Sequence, residues 1–200
     1  KWVLLAWSWL RLSVALVPER LVSLVSGVLF LALLHRANMG WEWIVGGLEA
    51  KGFAYALVLL ALESLVGGKW PRVWLLLGAA SAFHVLVGGW SAVAALVAWR
   101  WARSEKPPLA SLLPSLAGGF LLALPGLVPA LQLTHGADPD IVREANRIYV
   151  FERFSHHLAF HTFPGDRMAC HGALLLAWLV MLRVAGACPG GGRLHAFVGG

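Results

Sequence analysis

Long apolar runs separated by short polar stretches make up most of this chain. The runs cover residues 2–17, 21–34, 53–66, 73–99, 109–133 and 168–185. Several are shorter than the roughly 20 residues of a full membrane-spanning helix, and such helices are tolerated only where protein or a wet cavity covers their backbone. The pattern therefore predicts an all-α fold, a polytopic transmembrane helix bundle with short paired or broken helices.

The run 73–99 can be interpreted in two ways. As a single helix of about 40 Å it would cross a bilayer at a tilt, but the basic stretches Lys69–Arg72 and Arg100–Lys106 would then lie on opposite sides. A hairpin that turns near His84 or at Gly88-Gly89 keeps both stretches in the cytoplasm, as the positive-inside rule requires. We favour the hairpin, and the tilted helix is the alternative.

This orientation puts residues 134–167 outside the cytoplasm. The start of the third apolar run, with Glu49 and Lys51, and the hairpin turn at His84 then lie on the same outer side. Scarce polar residues from distant parts of the sequence are thus predicted to gather on one face of the membrane, which is our candidate site.

Composition agrees with a membrane location, because 59% of the residues are hydrophobic and 13% are charged, against roughly 25% charged in soluble domains. A net charge of +6 could indicate nucleic-acid binding, but the basic residues are scattered between apolar runs, so no nucleic acid is expected as a partner. Two cysteines imply neither a disulfide framework nor a thiolate zinc site. Several tryptophans beside charges suit an interfacial aromatic belt, the alternative being ordinary packing: Trp2, Trp41, Trp43, Trp70, Trp99 and Trp101.

The ends of the chain suggest a piece of a longer protein, because it begins without methionine inside an apolar run. Apolar segments recur up to residue 185, so a cleaved signal peptide is not indicated. We assign residues 1–185 to one transmembrane domain and residues 186–200 to a Gly-rich tail.

The longest polar stretch, residues 134–167, holds most of the candidate chemistry. Asp140 is predicted to cap a helix over 141–154, on which Ile141, Ala145 and Ile148 form an apolar stripe. Arg143 and Arg147 share one face of this helix, and Arg153 and His157 share another, with His156 adjacent. One interpretation is an anion site in which arginines grip phosphate and a histidine moves a proton. The other is an amphipathic helix on the membrane surface.

Other ionisable residues stand at or inside apolar runs. Glu49 and Lys51 are costly there unless paired or functional, so Glu49 is a candidate base or cation ligand, although both could snorkel to the interface. His84 is either an ordinary buried histidine or a site residue beside a possible bend. Arg11 marks an interface or a helix–helix contact. The histidines His156, His157, His161 and His171 are only a weak metal signal, and we assign no metal ligand.

Three patches of sequence resemble a family of large bacterial membrane proteins, the domain of unknown function numbered 6798. The patches are Ala145-Asn146-x-Ile148-Tyr149-Val150-x-x-Arg153-x-x-His156-His157-Leu158, Glu49-x-Lys51-x-Phe53-Ala54-Tyr55 and Phe83-His84-Val85-Leu86-Val87-Gly88-Gly89-Trp90. The likeness covers about residues 40–185. These proteins are similar in layout to the GT-C class of glycosyltransferases, which take a sugar from a polyprenyl-phosphate carrier on the outer face.

The resemblance implies a multi-pass protein of the bacterial inner membrane, with a membrane lipid such as polyprenyl phosphate as its partner. Arg143, Arg147 and Arg153, with Lys51 and His84, would bind the substrate. Glu49, His156 and His157 would be catalytic, the histidines acting on the leaving phosphate. The acidic outer loop that usually supplies the base in this class is not identifiable here, and no cofactor is assigned.

Three other functions are compatible with the same residues. A transporter or flippase of an anionic lipid or solute would use them for binding alone. A metal or haem protein would use His84 and the His156-His157 pair, and a structural membrane subunit would use none of them.

Overall fold

A computed structural model shows helices as the regular elements throughout the part of the chain that it describes. The described residues are 1–37, 44–101, 106–133, 135–184 and 190–200, without the side chains of His35, His157, Arg183 and Val184. The predicted all-α class is confirmed for these residues. Trp41, Trp43 and the middle of the basic stretch Arg100–Lys106 lie outside them.

The helices are α1 (Trp2–Leu16), α2 (Arg20–Ala37), α3 (Ala50–Val66), α4 (Trp70–Phe83), α5 (Val85–Trp101), α6 (Leu109–Gln132), α7 (Pro139–Ile148), α8 (Ser155–Leu158), α9 (Gly165–Val184) and α10 (Gly191–Val198). A π-helical turn, Tyr149–Arg153, continues α7, and a short 3₁₀ turn, Phe160–Thr162, follows α8. By length and composition, two of the described helices could cross a membrane: Leu109–Gln132 and Gly165–Leu182.

The run 73–99 forms two helices that break at His84, one of the two turning points suggested by the sequence. The backbone of His84 is extended, with φ −153° and ψ 103°, and α5 folds back along α4. At Gly88 a Cβ atom would overlap the backbone of Ser81, so this glycine allows the two helices to touch. Gly88-Gly89 itself lies inside α5.

Small residues bring α6 against α4. A Cβ atom at Gly78 would overlap the backbone of Gly119, and one at Gly126 would overlap the carbonyl oxygen of Ser81. Glycine and serine at helix crossings are typical of membrane bundles, in which close backbone packing replaces the hydrophobic effect. Because Gly119 lies near Trp74 and Gly126 near Ser81, α6 runs parallel to α4.

The α1 helix packs on the outside of α3, and α2 packs on α1 and α9. Lys1 lies against Gly52 and Arg11 contacts Glu63, so α1 runs parallel to α3. The α2 helix returns along α1, and the ring of Trp9 stacks on Phe30 with centroids 4.2 Å apart. Arg11 therefore marks a helix–helix contact, one of the two roles considered for it.

This connectivity gives the bundle two distinct ends. We call the end that holds the start of α3 and the break at His84 the pocket end. The opposite end holds the end of α3, the start of α4, the end of α5 and the start of α6. We call it the basic end, after its residues Lys69, Arg72, Arg100, Lys106 and Arg193.

The Gly-rich tail predicted over 186–200 contains a packed helix at the basic end. The Arg193 guanidinium donates to the carbonyl oxygens of Leu65 and Val66, at 2.9 and 2.6 Å. The last carbonyls of a helix have no partner within the helix, so Arg193 completes the end of α3. The sequence did not indicate this contact, because α10 is short and rich in glycine. Its position depends on a contact with another helix, α3.

The predicted aromatic belt needs one correction. Trp70 is only 1% exposed and lies in the core formed by α3, α4, α5 and α6. It is therefore a packing residue, because its place at the start of α4 turns it toward α3 rather than toward the surface. Trp2 and Trp101 are exposed, each at 61%, as belt residues would be.

Candidate functional site

A pocket of about 460 Å³ lies at the pocket end of the bundle. Its lining comes from three distant parts of the sequence: the start of α3, the break between α4 and α5, and the segment around the π turn. Polar and aromatic residues of the lining include Lys51, Tyr55, His84, Trp90, Tyr149 and Phe154. Three stretches that the sequence placed on one side of the membrane thus line a common pocket.

The first turn of α3 supplies Lys51 and Tyr55. They are four residues apart and therefore lie on the same face of the helix. Both side chains are half-buried, and the next residue after Lys51, Gly52, faces α1 instead. Lysine is a compact cation with three donor hydrogens, so it suits a phosphate or carboxylate group entering this pocket.

His84 lines the pocket, and its side chain also caps the start of α5. Its Nδ1 accepts the backbone N–H of Val87 at 3.3 Å, which satisfies one of the free donors at the start of α5. Because Nδ1 is the acceptor, a neutral His84 carries its proton on Nε2. The contact with the Val87 N–H thus favours the tautomer that carries its proton on Nε2.

The π turn determines which aromatic residues reach the pocket. The backbone N–H of Phe154 donates to the carbonyl of Tyr149 at 2.9 Å, a link five residues long. In a regular α-helix these two side chains would point roughly 140° apart. In the π turn their ring centroids are 4.7 Å apart, and both line the pocket.

The sequence predicted an uninterrupted helix over 141–154 with Asp140 as its cap, and both details are wrong. Asp138 is the capping residue, since its Oδ1 accepts the backbone N–H of Asp140 at 2.8 Å. Pro139 takes the first helical position, where its missing N–H costs nothing. No periodicity in the sequence indicates the π turn, because it adds one residue without changing composition.

The arginines of α7 are engaged with carboxylates of the same segment. Arg143 lies 3.1 Å from Asp140. Arg147 lies 2.8 Å from Glu144 and 3.0 Å from Glu152. The hydrogen bonds from Arg147 lower the pKa of the Glu144 carboxyl, and the two carboxylates raise the pKa of Arg147.

The other predicted site residues lie around the pocket rather than in its described lining. Glu49 is exposed at the start of α3. Arg153 lies over the ring of Phe154, with its guanidinium carbon 5.5 Å from the centroid. His156 is exposed, 6.2 Å from the same ring, and the side chain of His157 lies outside the described residues. Their roles stay predictions.

Sequence reasoning missed the most buried carboxylate of the described residues, Glu63. It is 8% exposed, and Arg11 donates to it at 2.7 Å. Arg72 lies 3.9 Å from its other oxygen. The sequence did contain an indication of this contact. Glu63 is the acidic residue within the run 53–66 and Arg11 is the basic residue within the run 2–17, and such residues in two apolar helices suggest an ion pair between them. This cluster lies toward the basic end, away from the pocket.

The described residues contain no group of three or more His, Cys, Asp or Glu side chains that could hold a metal ion. The described lining of the pocket offers an ammonium, an imidazole, phenol groups and an indole, and it includes no carboxylate. Such a surface suits a ligand with a negative charge and a ring that can stack on aromatic side chains.

Comparisons with known proteins were made at three levels. No protein-family model, no curated protein and no solved structure matches this chain. The resemblance to the family numbered 6798 and to the GT-C class therefore stays a prediction from the three sequence patches. The proposals below are supported by the contacts of the chain itself.

Proposed function

We propose that this chain is a polytopic membrane protein whose pocket binds the phosphate-bearing headgroup of a lipid on the outer face. The observation that carries the proposal is the meeting of Lys51, His84 and the Tyr149–Leu158 segment in one pocket. These residues come from three helical segments that are far apart along the chain, and all three segments lie at the same end of the bundle.

Exposed apolar surface supports the membrane location. In α2 the side chains of Leu21, Leu24 and Val28 are each more than 60% exposed. The apolar window of α9, Gly165–Leu182, has none of its residues buried. Soluble proteins rarely expose apolar surface on this scale, whereas lipid accepts it without cost.

The charge distribution supports the orientation. The basic end carries Lys69, Arg72, Arg100, Lys106 and Arg193 close to the helix termini. The pocket end carries basic residues as well, namely Lys1, Lys51, Arg143, Arg147 and Arg153. Counted over the short connections between α3 and α4 and between α5 and α6, the positive-inside rule places the basic end in the cytoplasm. The pocket end then faces the periplasm or exterior, where lipid-linked intermediates of a bacterial envelope are used.

An apolar groove of about 590 Å³ lies between α1 and α2. Its walls include Trp2, Leu5, Trp9, Leu24 and Phe30. It shares no lining residue with the pocket at the end of the bundle, and it adds to the apolar surface that supports a membrane location.

The activity that we propose for the whole protein is sugar transfer from a polyprenyl-phosphate carrier. Lys51 would neutralise the phosphate, the Nε2–H of His84 would donate to one of its oxygens, and Trp90 or Tyr149 would stack on the sugar ring. Charge neutralisation of this kind stabilises a leaving phosphate. The sugar–phosphate bond breaks as a hydroxyl of the acceptor attacks the sugar, and Glu49, at the same end of the bundle, is the candidate base for the proton of that hydroxyl.

Transport or flipping of the same anionic lipid is the second candidate function. It is favoured by the lack of a carboxylate in the described lining, because binding without transfer needs no base. The short paired helices α4 and α5 also suit a transporter, in which broken helices surround the binding site.

A labelling experiment tests the orientation. In intact cells and in a Cys170→Ser, Cys188→Ser background, a cysteine replacing Lys51 or Tyr149 is expected to react with a membrane-impermeant maleimide from outside. A cysteine replacing Lys106 is expected to react only after the membrane is opened. If the cysteines at positions 51 and 149 are reached from opposite sides, the pocket does not exist as proposed.

A binding experiment tests the ligand. Lys51→Ala is expected to weaken binding of undecaprenyl phosphate by about 10-fold to 100-fold, the range for losing one charge-assisted hydrogen bond. Titration of the purified chain in nanodiscs measures this. Lys51→Arg should restore part of the affinity, and Lys106→Ala, at the basic end, serves as the matched control.

Equal affinity of wild type and Lys51→Ala would rule out the proposed role of the pocket. Incubation of the full-length protein with a labelled polyprenyl-phosphate sugar then separates the two candidate functions. A transferase consumes the donor, whereas a transporter returns it unchanged on the other side of the membrane.

A further inference from the structure

The α7 helix is strongly two-sided although nothing in the described chain covers it. Ile141, Ala145 and Ile148 lie along one side, and Arg143 and Arg147 lie on the opposite side. None of the residues of α7 is buried. Ile141 is 67% exposed and Ile148 is 41% exposed, so the described residues leave most of Ile141 and part of Ile148 uncovered.

The position of α7 in the chain restricts what its apolar side can meet. Six residues, 133–138, separate it from the end of α6 at Gln132, and α9 follows it. These flanking helices are the two described helices that could cross a membrane. Six extended residues reach about 20 Å at most. Once α6 and α9 span the bilayer, both ends of the α7 segment are tethered close to its surface.

The charges of α7 are neutralised within the segment. Arg143 pairs with Asp140, and Arg147 pairs with both Glu144 and Glu152. A helix held on a membrane by charge presents unpaired lysine and arginine to anionic lipids. Because the arginines of α7 are already paired with carboxylates, its apolar side is the part of the helix that would attach it to a membrane.

We infer that α7 lies in the headgroup region of the outer leaflet, with Ile141 and Ile148 in the lipid and its ion pairs toward water. The inference rests on the proposed membrane insertion of α6 and α9, and it assigns to α7 a partner, the lipid surface itself. Attachment is independent of anionic lipid. Because the adjoining π turn carries Tyr149 and Phe154 into the pocket, one wall of the pocket is supported by the bilayer.

Single-cysteine labelling tests this inference in the whole chain. In a Cys170→Ser, Cys188→Ser background, an environment-sensitive fluorophore is attached at Ile141→Cys, on the apolar side, or at Asn146→Cys, on the polar side. The chain is reconstituted in phosphatidylcholine vesicles with and without phosphatidylglycerol. Brominated lipids report contact with the bilayer, and iodide reports contact with water.

The label at position 141 should be quenched several-fold more by lipids brominated near the headgroup than the label at 146, which iodide should quench instead. The two vesicle compositions should agree. Equal iodide quenching at 141 and 146 would overturn the inference, as would protection of position 141 without quenching by any brominated lipid. Lipid quenching that requires phosphatidylglycerol would contradict attachment through the apolar side.

A label at Leu176→Cys in α9 separates this result from the membrane proposal. Strong quenching of position 176 by deeply brominated lipid, together with an aqueous position 141, refutes the placement of α7 alone. If position 176 is not quenched either, the membrane location of the whole bundle fails.

Discussion

Replacing Gly78 with alanine is expected to destabilise the protein by about 3 kcal/mol, the upper end of the roughly 1 to 3 kcal/mol that overpacking typically costs. The added Cβ atom would overlap the backbone of Gly119, and a backbone in a neighbouring helix cannot rotate away as a side chain can. The helices α4 and α6 would have to separate along the contact that also includes Ser81 and Gly126. The gain in helix propensity from alanine offsets at most about 1 kcal/mol.

Two further glycines make a graded series of controls. Gly118→Ala meets only the end of the Leu75 side chain, at 2.9 Å, and Gly89→Ala meets nothing within 4 Å. Thermal unfolding in one detergent should therefore rank Gly89→Ala as neutral or slightly stabilising, Gly118→Ala as intermediate and Gly78→Ala as the least stable. A Gly78→Ala variant as stable as Gly89→Ala would show that α4 and α6 do not touch at this point.

Replacing Arg11 with alanine is expected to cost about 2 to 3 kcal/mol, because it removes the shortest ion pair of the buried Glu63 carboxylate, at 2.7 Å. Breaking a fully buried pair typically costs about 3 to 5 kcal/mol. The expected value is smaller because Arg72, 3.9 Å from the other carboxylate oxygen, and the Ser64 hydroxyl, 3.4 Å from it, still stabilise the Glu63 charge. Denaturation of the purified chain in detergent measures the loss.

An ion pair at the surface provides the matched control. Arg143 and Asp140 are 79% and 83% exposed, so Arg143→Ala should change stability by less than about 1 kcal/mol. The double variant Arg11→Met, Glu63→Met removes both charges and should recover stability relative to Arg11→Ala. If Arg11→Ala and Arg143→Ala behave alike, or if the double variant is the less stable, the pair does not hold α1 on α3.

The helical class and the hairpin could be inferred from the sequence because both follow from local pattern. Apolar runs with few charges predict helices, and the basic stretches at Lys69–Arg72 and Arg100–Lys106 fix where the chain must return. The apolar side of α7 was visible for the same reason, since Ile141, Ala145 and Ile148 recur at helical spacing. Each of these features depends on residues that are close in the sequence.

Other features became visible only in the tertiary structure. The ion pair between Arg11 and Glu63 joins helices far apart in the sequence, and each charge alone looked like an isolated residue in an apolar run. The contact of Arg193 with the end of α3 is of the same kind. It turned an apparent glycine-rich tail into part of the bundle.

The candidate site also has features that the sequence predicts and features that only the tertiary structure shows. The sequence by itself predicted that Lys51, His84 and the aromatic segment after α7 lie at one end of the bundle, because a hairpin over 73–99 returns the chain to the end that it left. Only the tertiary structure decided which of them share a pocket and which are engaged elsewhere. The π turn rotates Tyr149 and Phe154 inward, while carboxylates one turn away take up Arg143 and Arg147. The reason is physical: helical pattern specifies the face of one helix, but a pocket depends on the rotation and separation of several helices, which packing sets.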